Sequence, residues 1–308
     1  MTTLIFGHQN PDTDAITSAI TWAEFQRQSG NTDVEAVALG TPNDETKFAL
    51  DTFKIQAPRV IDAANGADVM LVDHNEAQQS VADRKDSTIV SVVDHHRFAN
   101  FETAAPLFIR AEPVGSCNSI IYKMYKENGF EITPQIAGLM LSGAISDTLL
   151  LKSPTTTDLE REILPELAKI AGVDLQEYGL NMLKAGTNLA AKSDLDIAEG
   201  DAKSFDMAGK TVRIGQVNVV DLEEIYARQA DIEATLKAES EKNGYDLFLL
   251  VATDILNSNS TGLAFGVGKD KLEAAFGGKF DADGRLALPG VVSRKKQVVP
   301  PLQKAFEA

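Results

Sequence analysis

The residues of this chain best suited to chemistry stand directly after short apolar runs. Three such runs end in histidine and aspartate, in the stretches TLIFGHQNPDTD, VMLVDHN and VSVVDHH. They contain all four histidines of the chain. The polar residues concerned are His8, Asp12, Asp14, Asp73, His74, Asp94, His95 and His96. One polar residue after a strand is usually a solvated strand end, but four histidines confined to such positions indicate a shared site.

Imidazole nitrogens and carboxylate oxygens together suit borderline divalent metals such as Mn, Co or Zn, whereas Mg alone prefers oxygen ligands. The set is too large for a single ion. Two ions that share a bridging carboxylate use such a set economically, and pairs about 3.5–4 Å apart commonly serve phosphoryl chemistry. The residue types therefore predict a two-metal site that acts on phosphate.

The elements that must position these side chains alternate between strands and helices. Apolar runs predict strands at 3–6, 34–39, 68–73 and 88–94, with helices at 13–29 and 44–54 and mostly helical chain from 115 to 185. Strands without internal polar alternation, separated by helices, predict a parallel sheet covered on both faces. Ligands of such sheets bind outside the carboxyl ends of the strands, where the histidines lie.

A small, polar, weakly periodic stretch, GTNLAAKSDLD, separates this half from a second set of elements. The second half predicts strands in TVRIGQVNVV, YDLFLLVATDI and STGLAFGVG, one long charged helix over 221–243 and a final helix over 297–307. We therefore predict an α/β protein with a parallel-sheet domain at 1–187, a linker at 188–195 and a smaller mixed α/β domain at 196–308.

Charge and cysteine content narrow the class of protein. With 29 Lys and Arg against 45 Asp and Glu, the formal net charge is −16, which disfavours nucleic acid because such binding depends on neutralising phosphates. The single cysteine, Cys117, excludes an intrachain disulfide. No signal peptide and no apolar run of about 18 residues is apparent, so we expect a cytoplasmic protein without membrane contact.

The ordered motifs GHQNPDTDA, DHNE and DHH resemble those of the DHH phosphoesterase superfamily. Further stretches, RFANFETAAPLFIRAEPVGS, AGLMLSGAISDTLLLKSPT, EYGLNMLKAGTNLA and GVVSRKKQVVPPL, extend the resemblance along essentially the whole chain. The branch that it resembles is the manganese-dependent, family II inorganic pyrophosphatases. DHH alone is a weak signal, whereas the ordered set together with SRKKQVVP is specific.

The resemblance implies a ligand set for two Mn²⁺ ions, with Co²⁺ as an alternative. Its members are His8, Asp12, Asp14, Asp73, His95 and Asp147. Asp73 would bridge the ions, while Asp94 and His74 would stay outside the set. An aspartate at the end of an apolar helix would otherwise be interpreted as a cap, so Asp147 depends on the resemblance. His96, beside the metal ligand His95, is expected to contact phosphate and protonate the leaving group.

Three cations stand together in SRKK, residues 293 to 296. Taken alone they fit a solvated loop, and Lys203 fits an ordinary surface lysine. The resemblance makes Arg294, Lys295 and Lys203 the phosphate-binding residues of the second domain, because Arg offers a planar fork and Lys a point charge. The role of Lys296 stays open. Residues 112–119, EPVGSCNS, are expected to begin a helix whose N–H groups help to hold phosphate.

The implied reaction is hydrolysis of inorganic diphosphate to two orthophosphates by a water that the two metal ions activate, with Mg²⁺ arriving on the substrate. Because metal ligands and cations lie in different domains, closure of the second domain over the substrate is expected. The resemblance also implies a homodimer, formed through the first domain.

Three alternatives remain open from the sequence. A phosphodiesterase acting on very short oligonucleotides is the nearest, although such relatives use a histidine-containing motif in the second domain and no histidine follows His96 here. A short-chain polyphosphatase is chemically close. A non-catalytic metal-binding or phosphate-sensing protein is disfavoured by the complete set of ligands and cations.

Overall fold

The computed structural model describes residues 2–308. The chain divides into two compact units, the first ending at Gly186 and the second beginning at Thr187. Among the described residues, no helix combines the length and apolarity needed to cross a bilayer.

A six-stranded sheet forms the centre of the first unit. Its strands are β1 (Thr3–Phe6), β2 (Val34–Ala38), β3 (Arg59–Val60), β4 (Val69–Val72), β5 (Ile89–Asp94) and β6 (Phe108–Ala111). They lie in the order β3-β2-β1-β4-β5-β6 and every pairing is parallel. The chain builds outwards from β1 to β3 and then returns to place β4 on the other side of β1. A switch point therefore lies between the carboxyl ends of β1 and β4.

Six α-helices accompany this sheet in the described part of the first unit. They are α1 (Thr13–Gln28), α2 (Asp44–Thr52), α3 (Cys117–Asn128), α4 (Pro134–Thr148), α5 (Asp158–Ala171) and α6 (Leu175–Gly186). Their starts and stops follow local chemistry: the Asp12 side chain accepts a hydrogen bond from the N–H of Ala15 at the start of α1, and Pro134 opens α4. Gly129 ends α3 in the left-handed conformation.

The apolar runs form strands because they can be buried on both faces. All four residues of β4 are buried, and so are five of the six residues of β5. Side chains of β1, β4 and β5 share one apolar cluster that includes Phe6, Leu71 and Val92. The predicted parallel sheet is thus confirmed, with its rigid core directly beneath the strand ends.

The second unit has a mixed five-stranded sheet. Its strands are β7 (Ala202–Met207), β8 (Lys210–Val219), β9 (Leu247–Asp254), β10 (Asn259–Gly266) and β11 (Leu286–Leu288), in the order β11-β10-β9-β8-β7. Only the pair β8 and β9 is parallel among these strands. Its helices are α7 (Asp194–Glu199), α8 (Glu223–Tyr226), α9 (Gln229–Asn243), α10 (Lys269–Phe276) and α11 (Val299–Glu307). The expected smaller mixed α/β domain is confirmed.

The single helix predicted over 221–243 is wrong, because the structure has α8 and α9 with a break between them. Arg228 leaves the helical conformation at the break. Its guanidinium donates a hydrogen bond to the carbonyl of Leu189 and pairs with Asp194 at 2.7 Å. Each of the two helices still buries an isoleucine, Ile225 in α8 and Ile232 in α9. The break therefore preserves the apolar face while it ties this segment to α7, a long-range contact that helical periodicity does not record.

Candidate metal centre

The six predicted metal ligands lie together at the carboxyl edge of the first sheet. His8 follows β1, Asp12 and Asp14 begin α1, Asp73 follows β4, His95 follows β5, and Asp147 lies in the last turn of α4. Their ligand atoms form two groups, each within 4.8 Å: His8, Asp12 and Asp73 in one, and Asp14, Asp73, His95 and Asp147 in the other. Asp73 is common to both groups, which is the position that a bridging ligand would occupy.

Asp73 is held in an environment that suits a cation. Its side chain is 1% exposed, and its backbone has φ 55°, a left-handed conformation that aspartate tolerates better than most residues. Neither carboxylate oxygen accepts a hydrogen bond from any residue of the described chain, 2–308. Burial, followed by repulsion from Asp14, raises the pKa of Asp73 to about 7. An unbalanced buried carboxylate of this kind is stabilised when it ligates a metal.

The hydrogen bonds of His8 and His95 fix which ring nitrogen faces the cluster. His95 Nδ1 donates to the carbonyl of Val114 at 3.0 Å, and His8 Nδ1 donates to the carbonyl of Gln9 at 2.8 Å. Since a carbonyl can only accept, the neutral rings carry their lone pairs on Nε2.

Those lone pairs point at carboxylates. His95 Nε2 lies 3.2 Å from Asp73 Oδ1 and 3.2 Å from Asp147 Oδ2, and His8 Nε2 lies 3.5 Å from Asp73 Oδ2. A lone pair facing a carboxylate oxygen is repulsive unless the ring gains a proton or a cation lies between them. Burial and repulsion from Asp14 also raise the pKa of Asp147. The donor set therefore fits borderline divalent ions.

Residues at the start of α3 donate hydrogen bonds to Asp14. The Asp14 carboxylate accepts hydrogen bonds from the Ser116 hydroxyl at 2.8 Å, the Cys117 N–H at 2.6 Å and the Asn118 side-chain amide at 2.7 Å. The N–H groups expected to hold phosphate at 112–119 include those of Cys117 and Asn118, and the structure directs both to this carboxylate. The N–H groups at this helix N-terminus are thus engaged by the Asp14 side chain rather than by a bound anion.

Gly143 makes room for this arrangement from the middle of α4. A Cβ built on Gly143 would lie 2.5 Å from Asp14 Oδ1, 2.8 Å from the hydroxyl of Thr17 and closer still to the side-chain amide of Asn118. Real side chains do not tolerate such approaches, so α4 can pack against α1 here only without a side chain.

Asp147 stands just before an unusual turn. Leu149, Leu150 and Leu151 have φ values of 49°, 50° and 65°, three successive left-handed residues without glycine. Each costs about 1–2 kcal/mol, so the surrounding structure must impose the turn. The buried side chains of Leu149 and Leu150 and a 2.8 Å hydrogen bond from the Thr155 hydroxyl to the Asp147 carbonyl hold it in place.

His96 is oriented by Asp94. Its ring Nδ1 and backbone N both donate to Asp94 Oδ1, while Asp94 Oδ2 accepts a 2.6 Å hydrogen bond from the amide of Asn75. Asp94 is fully buried; burial opposes its ionisation, but the His96 hydrogen bond and charge lower the pKa of Asp94 below its ordinary value. His74 points elsewhere: its Nδ1 donates to the Val72 carbonyl, and burial lowers the pKa of His74 to about 4.

The cations of the second unit lie on two of its elements. Lys203 lies on β7 and is half-buried. Arg294, Lys295 and Lys296 lie in a π-helical turn, Arg294–Val298, which leads into α11. Lys295 and Lys296 are exposed, whereas Arg294 is largely buried and pairs with Asp201 at 2.7 Å. Turns of the π type are rare in proteins as a whole, but those that occur are frequently found at functional sites.

Sequence reasoning missed the residues that support these groups, chiefly Asn75, Ser116, Asn118 and Asp201. Asn75 stands inside the DHNE motif, which was a usable signal. The other three resemble ordinary helix caps or surface residues, and their partners are distant in the chain.

Comparison with known proteins places the chain in a class. The DHH family N-terminal domain matches residues 2–144, and the DHHA2 domain matches residues 180–305. An exopolyphosphatase-related protein from Bacteroides fragilis shares the fold, with a TM-score of 0.51 at 14% identity over 99% of this chain and 92% of that one. Fold and site together define a two-domain DHH protein.

Relatives with higher sequence identity identify the family within this class. Proteins named probable manganese-dependent inorganic pyrophosphatase from Lactiplantibacillus plantarum and Streptococcus suis are 58% and 56% identical, each over 99% of both chains. A crystal structure from Methanococcus jannaschii, assigned to the family II inorganic pyrophosphatases, has a TM-score of 0.89 at 39% identity over 99% of this chain and 100% of its own. The chain belongs to the manganese-dependent, family II inorganic pyrophosphatases, as the motifs predicted.

Proposed function

We propose that this protein hydrolyses inorganic diphosphate to two orthophosphates with the help of two manganese ions bound at the carboxyl edge of the first sheet. The observation that carries the proposal is the buried Asp73 carboxylate, faced on its two oxygens by the Nε2 atoms of His8 and His95. The names of the relatives support manganese and diphosphate. Co²⁺ is an alternative metal, and Mg²⁺ would accompany the substrate.

Two overlapping groups of residues would hold the ions. His8, Asp12 and Asp73 would bind one, and Asp14, Asp73, His95 and Asp147 the other. Bound manganese would lower the pKa of a coordinated water towards neutrality and neutralise phosphate charge. The protein's part is to orient these ligands through the hydrogen bonds to Asp14 and the carbonyl partners of both histidines.

His96 would act on the leaving phosphate. With Nδ1 hydrogen-bonded to Asp94, Nε2 is the nitrogen that we expect to contact the substrate. A protonated His96 would donate its Nε2 proton to the bridging oxygen as the P–O bond breaks, which produces orthophosphate and neutral imidazole. Asp94 stabilises the imidazolium before that transfer, in the manner of an aspartate that orients a catalytic histidine.

Lys203, Arg294 and Lys295 would bind the phosphate oxygens from the second unit. In a chain of net charge −16, a local group of cations is required to attract a multiply charged anion. We infer that the second domain closes over the substrate about the segment 188–195, so that cations and metal ligands act on the same molecule. Closure would also exclude bulk water, which strengthens every charge interaction with phosphate.

The test is phosphate release by metal-stripped protein reloaded with Mn²⁺, in the presence of Mg²⁺. Diphosphate, tripolyphosphate and a dinucleotide are compared as substrates, and Asp73→Ala is compared with Asp68→Ala, a change at an exposed aspartate before β4. We expect Mn-dependent release from diphosphate, lost in Asp73→Ala together with Mn²⁺ binding and kept in Asp68→Ala. Preference for the dinucleotide or tripolyphosphate, or full activity in Asp73→Ala, would overturn the proposal.

We infer a homodimer formed through the free edge of β6. This strand ends the sheet, and its Phe108 and Ile109 are 47% and 44% exposed, unusual for large apolar side chains. An edge strand with exposed apolar residues favours pairing with another chain. Light scattering should show a dimer that Ile109→Lys dissociates, while Val267→Lys, at an exposed apolar residue of the second unit, leaves it intact. Cytoplasmic location stays a prediction from composition.

A further inference from the structure

Arg294 is engaged by an acidic residue that belongs to no proposed set of ligands. Arg294 Nη2 donates to Asp201 Oδ1 at 2.7 Å, and Arg294 Nη1 donates to the backbone carbonyl of Asp201 at 2.5 Å. Nη1 also lies 3.3 Å from the carbonyl of Ile214. One residue thus holds both terminal nitrogens of the guanidinium, from a position 93 residues away in the chain.

These hydrogen bonds occupy one edge of the Arg294 guanidinium and leave a second edge for other contacts. A guanidinium carries five N–H donors in a rigid plane, and its Nε and Nη2 hydrogens form a side edge that matches two oxygens of a phosphate. Within residues 2–308, the side-chain hydrogen bonds of Arg294 are donated by Nη1 and Nη2 only. The end edge is therefore anchored to protein, and the Nε edge keeps its capacity for bidentate contact.

The backbone of Arg294 is fixed as firmly as its side chain. Its N–H donates to Gln216 Oε1 at 3.1 Å, and Gln216 Nε2 in turn donates to the hydroxyl of Thr253 and the carbonyl of Val292. The Asp201 carbonyl that receives Nη1 also accepts the backbone N–H of Gln216. Side chain and backbone of Arg294 are thus tied to the same part of β8.

The two partners of the Arg294–Asp201 ion pair differ in their exposure to solvent. The Arg294 side chain is 11% exposed, whereas Asp201 is 54% exposed. The charge of an exposed carboxylate is largely screened by water, so its repulsion of an incoming phosphate is weak. Its hydrogen bond to the largely buried guanidinium is short and directional, and it therefore constrains the orientation of Arg294.

We propose that Asp201 is a positioning residue that holds the Arg294 guanidinium by its terminal edge so that the Nε edge is ready to bind phosphate. The inference rests on the proposed function, in which Arg294 contacts diphosphate. An arginine that is already immobilised loses less side-chain freedom when it binds its ligand, and the affinity rises accordingly. Asp201 stands two residues before Lys203, so one segment of chain would set both cations.

The experiment compares two neutral replacements, Asp201→Ala and Asp201→Asn. Both remove the charge, but Asn keeps an oxygen that accepts the Nη2 hydrogen bond. We expect the KM for magnesium diphosphate to be about 3–10-fold higher in Asp201→Ala than in Asp201→Asn, the range expected from the ordering of one long side chain. The kcat of the two variants should differ less than their KM.

Binding of imidodiphosphate to the Mn-loaded protein, measured by calorimetry, should show the same ratio without turnover. Asp206→Ala changes an exposed aspartate of β7, the strand that follows Asp201, and it should leave KM unchanged. A purely structural role for Asp201 would instead lower the melting temperature of Asp201→Ala and Asp201→Asn alike without separating their KM values.

An Arg294→Ala background tests the positioning role of Asp201 separately from the phosphate-binding role of Arg294. In that background, Asp201→Ala should have no further effect on KM, because the guanidinium that Asp201 positions is absent. The inference is overturned if KM is equal in Asp201→Ala and Asp201→Asn, or lower in Asp201→Ala. It is also overturned if the effect of Asp201→Ala on KM persists without Arg294. These outcomes leave the proposed function standing. An unchanged KM in Arg294→Ala itself would overturn the phosphate-binding role of Arg294 and the inference with it.

Discussion

The carboxylate of Asp94 accepts two hydrogen bonds from His96 on one oxygen, from ring Nδ1 at 2.9 Å and from the backbone N–H at 3.0 Å. Its other oxygen accepts the amide of Asn75 at 2.6 Å. A buried carboxylate whose two oxygens both receive donors leaves His96 one tautomer and one ring orientation.

Asp94→Asn should therefore lower kcat. The new amide can offer oxygen to His96 or to Asn75 but not to both, since its NH₂ group would face a donor. It also removes the charge that stabilises an imidazolium. Loss of a supporting partner of this kind typically costs about 10–100-fold in activity. Steady-state kinetics with Mn²⁺ titration should show that loss with metal affinity kept, and unchanged kcat would contradict the role of His96.

The affinity for Mn²⁺ should depend on pH in a defined direction. In the metal-free protein the pKa of Asp73 is raised to about 7, so below that pH the folded state holds a proton that a metal must displace. Above it, the carboxylate is ionised, buried and destabilising until a cation binds. Mn²⁺ affinity should thus rise by up to about tenfold between pH 6 and 7 and level off above pH 8.

Calorimetry in buffers of different ionisation enthalpy would measure the protons released by Mn²⁺ at each pH. Mn²⁺ should also raise the melting temperature more at pH 8 than at pH 6. Proton release that is constant across this range, or that grows with pH, would contradict the assignment of Asp73 as the proton-binding ligand.

Two glycines of α4 provide a matched pair of variants. Gly143→Ala would place a methyl group against Asp14 and Asn118, while Gly138→Ala would place one against the ring of Phe53, away from the ligands. Both should destabilise the fold by about 1–3 kcal/mol, as overpacked cores do. Only Gly143→Ala should also weaken Mn²⁺ binding, because it displaces Asp14. Equal Mn²⁺ affinity in the two variants would show that the Asp14 contacts are not needed for metal binding.

Lys295→Ala should raise KM for magnesium diphosphate while Mn²⁺ affinity is kept. Loss of a hydrogen bond to a charged group costs about 1.5–3 kcal/mol, which corresponds to a KM increase of about 10–100-fold. Lys304→Ala, at an exposed lysine of α11, is the control and should leave KM unchanged. If Mn²⁺ binding failed in Lys295→Ala, the lysine would belong to the metal site instead.

The carboxyl-edge site could be predicted because its signals are local. Each apolar run that forms β1, β4 or β5 ends beside a residue proposed to bind metal, and parallel strands present those ends at one edge whatever their order. The helix starts at Asp12 and Pro134 also carry their own signals. Asp147 was the exception, since an aspartate at the end of a helix has no distinguishing pattern and required the family motifs.

The contacts that tune the site could not be predicted in this way. Asn118 reaches Asp14 across 104 residues, and Arg294 reaches Asp201 across 93. Such pairs depend on how helices and strands pack, and neither residue type nor periodicity records the partner. The same reason explains the helix break at Arg228, which a uniform charged pattern concealed.

The residues proposed to bind metal follow β1, β4 and β5 or lie at the start of α1 and the end of α4, and Asp147 is the last of them along the chain. During synthesis, at about 5–20 residues per second, the full set can assemble only after α4 has left the ribosome. By then every strand of the first sheet has been made, and none of the second. Metal capture by the nascent chain would therefore follow completion of the first sheet and α4, before the residues proposed to bind phosphate from the second unit have been synthesised.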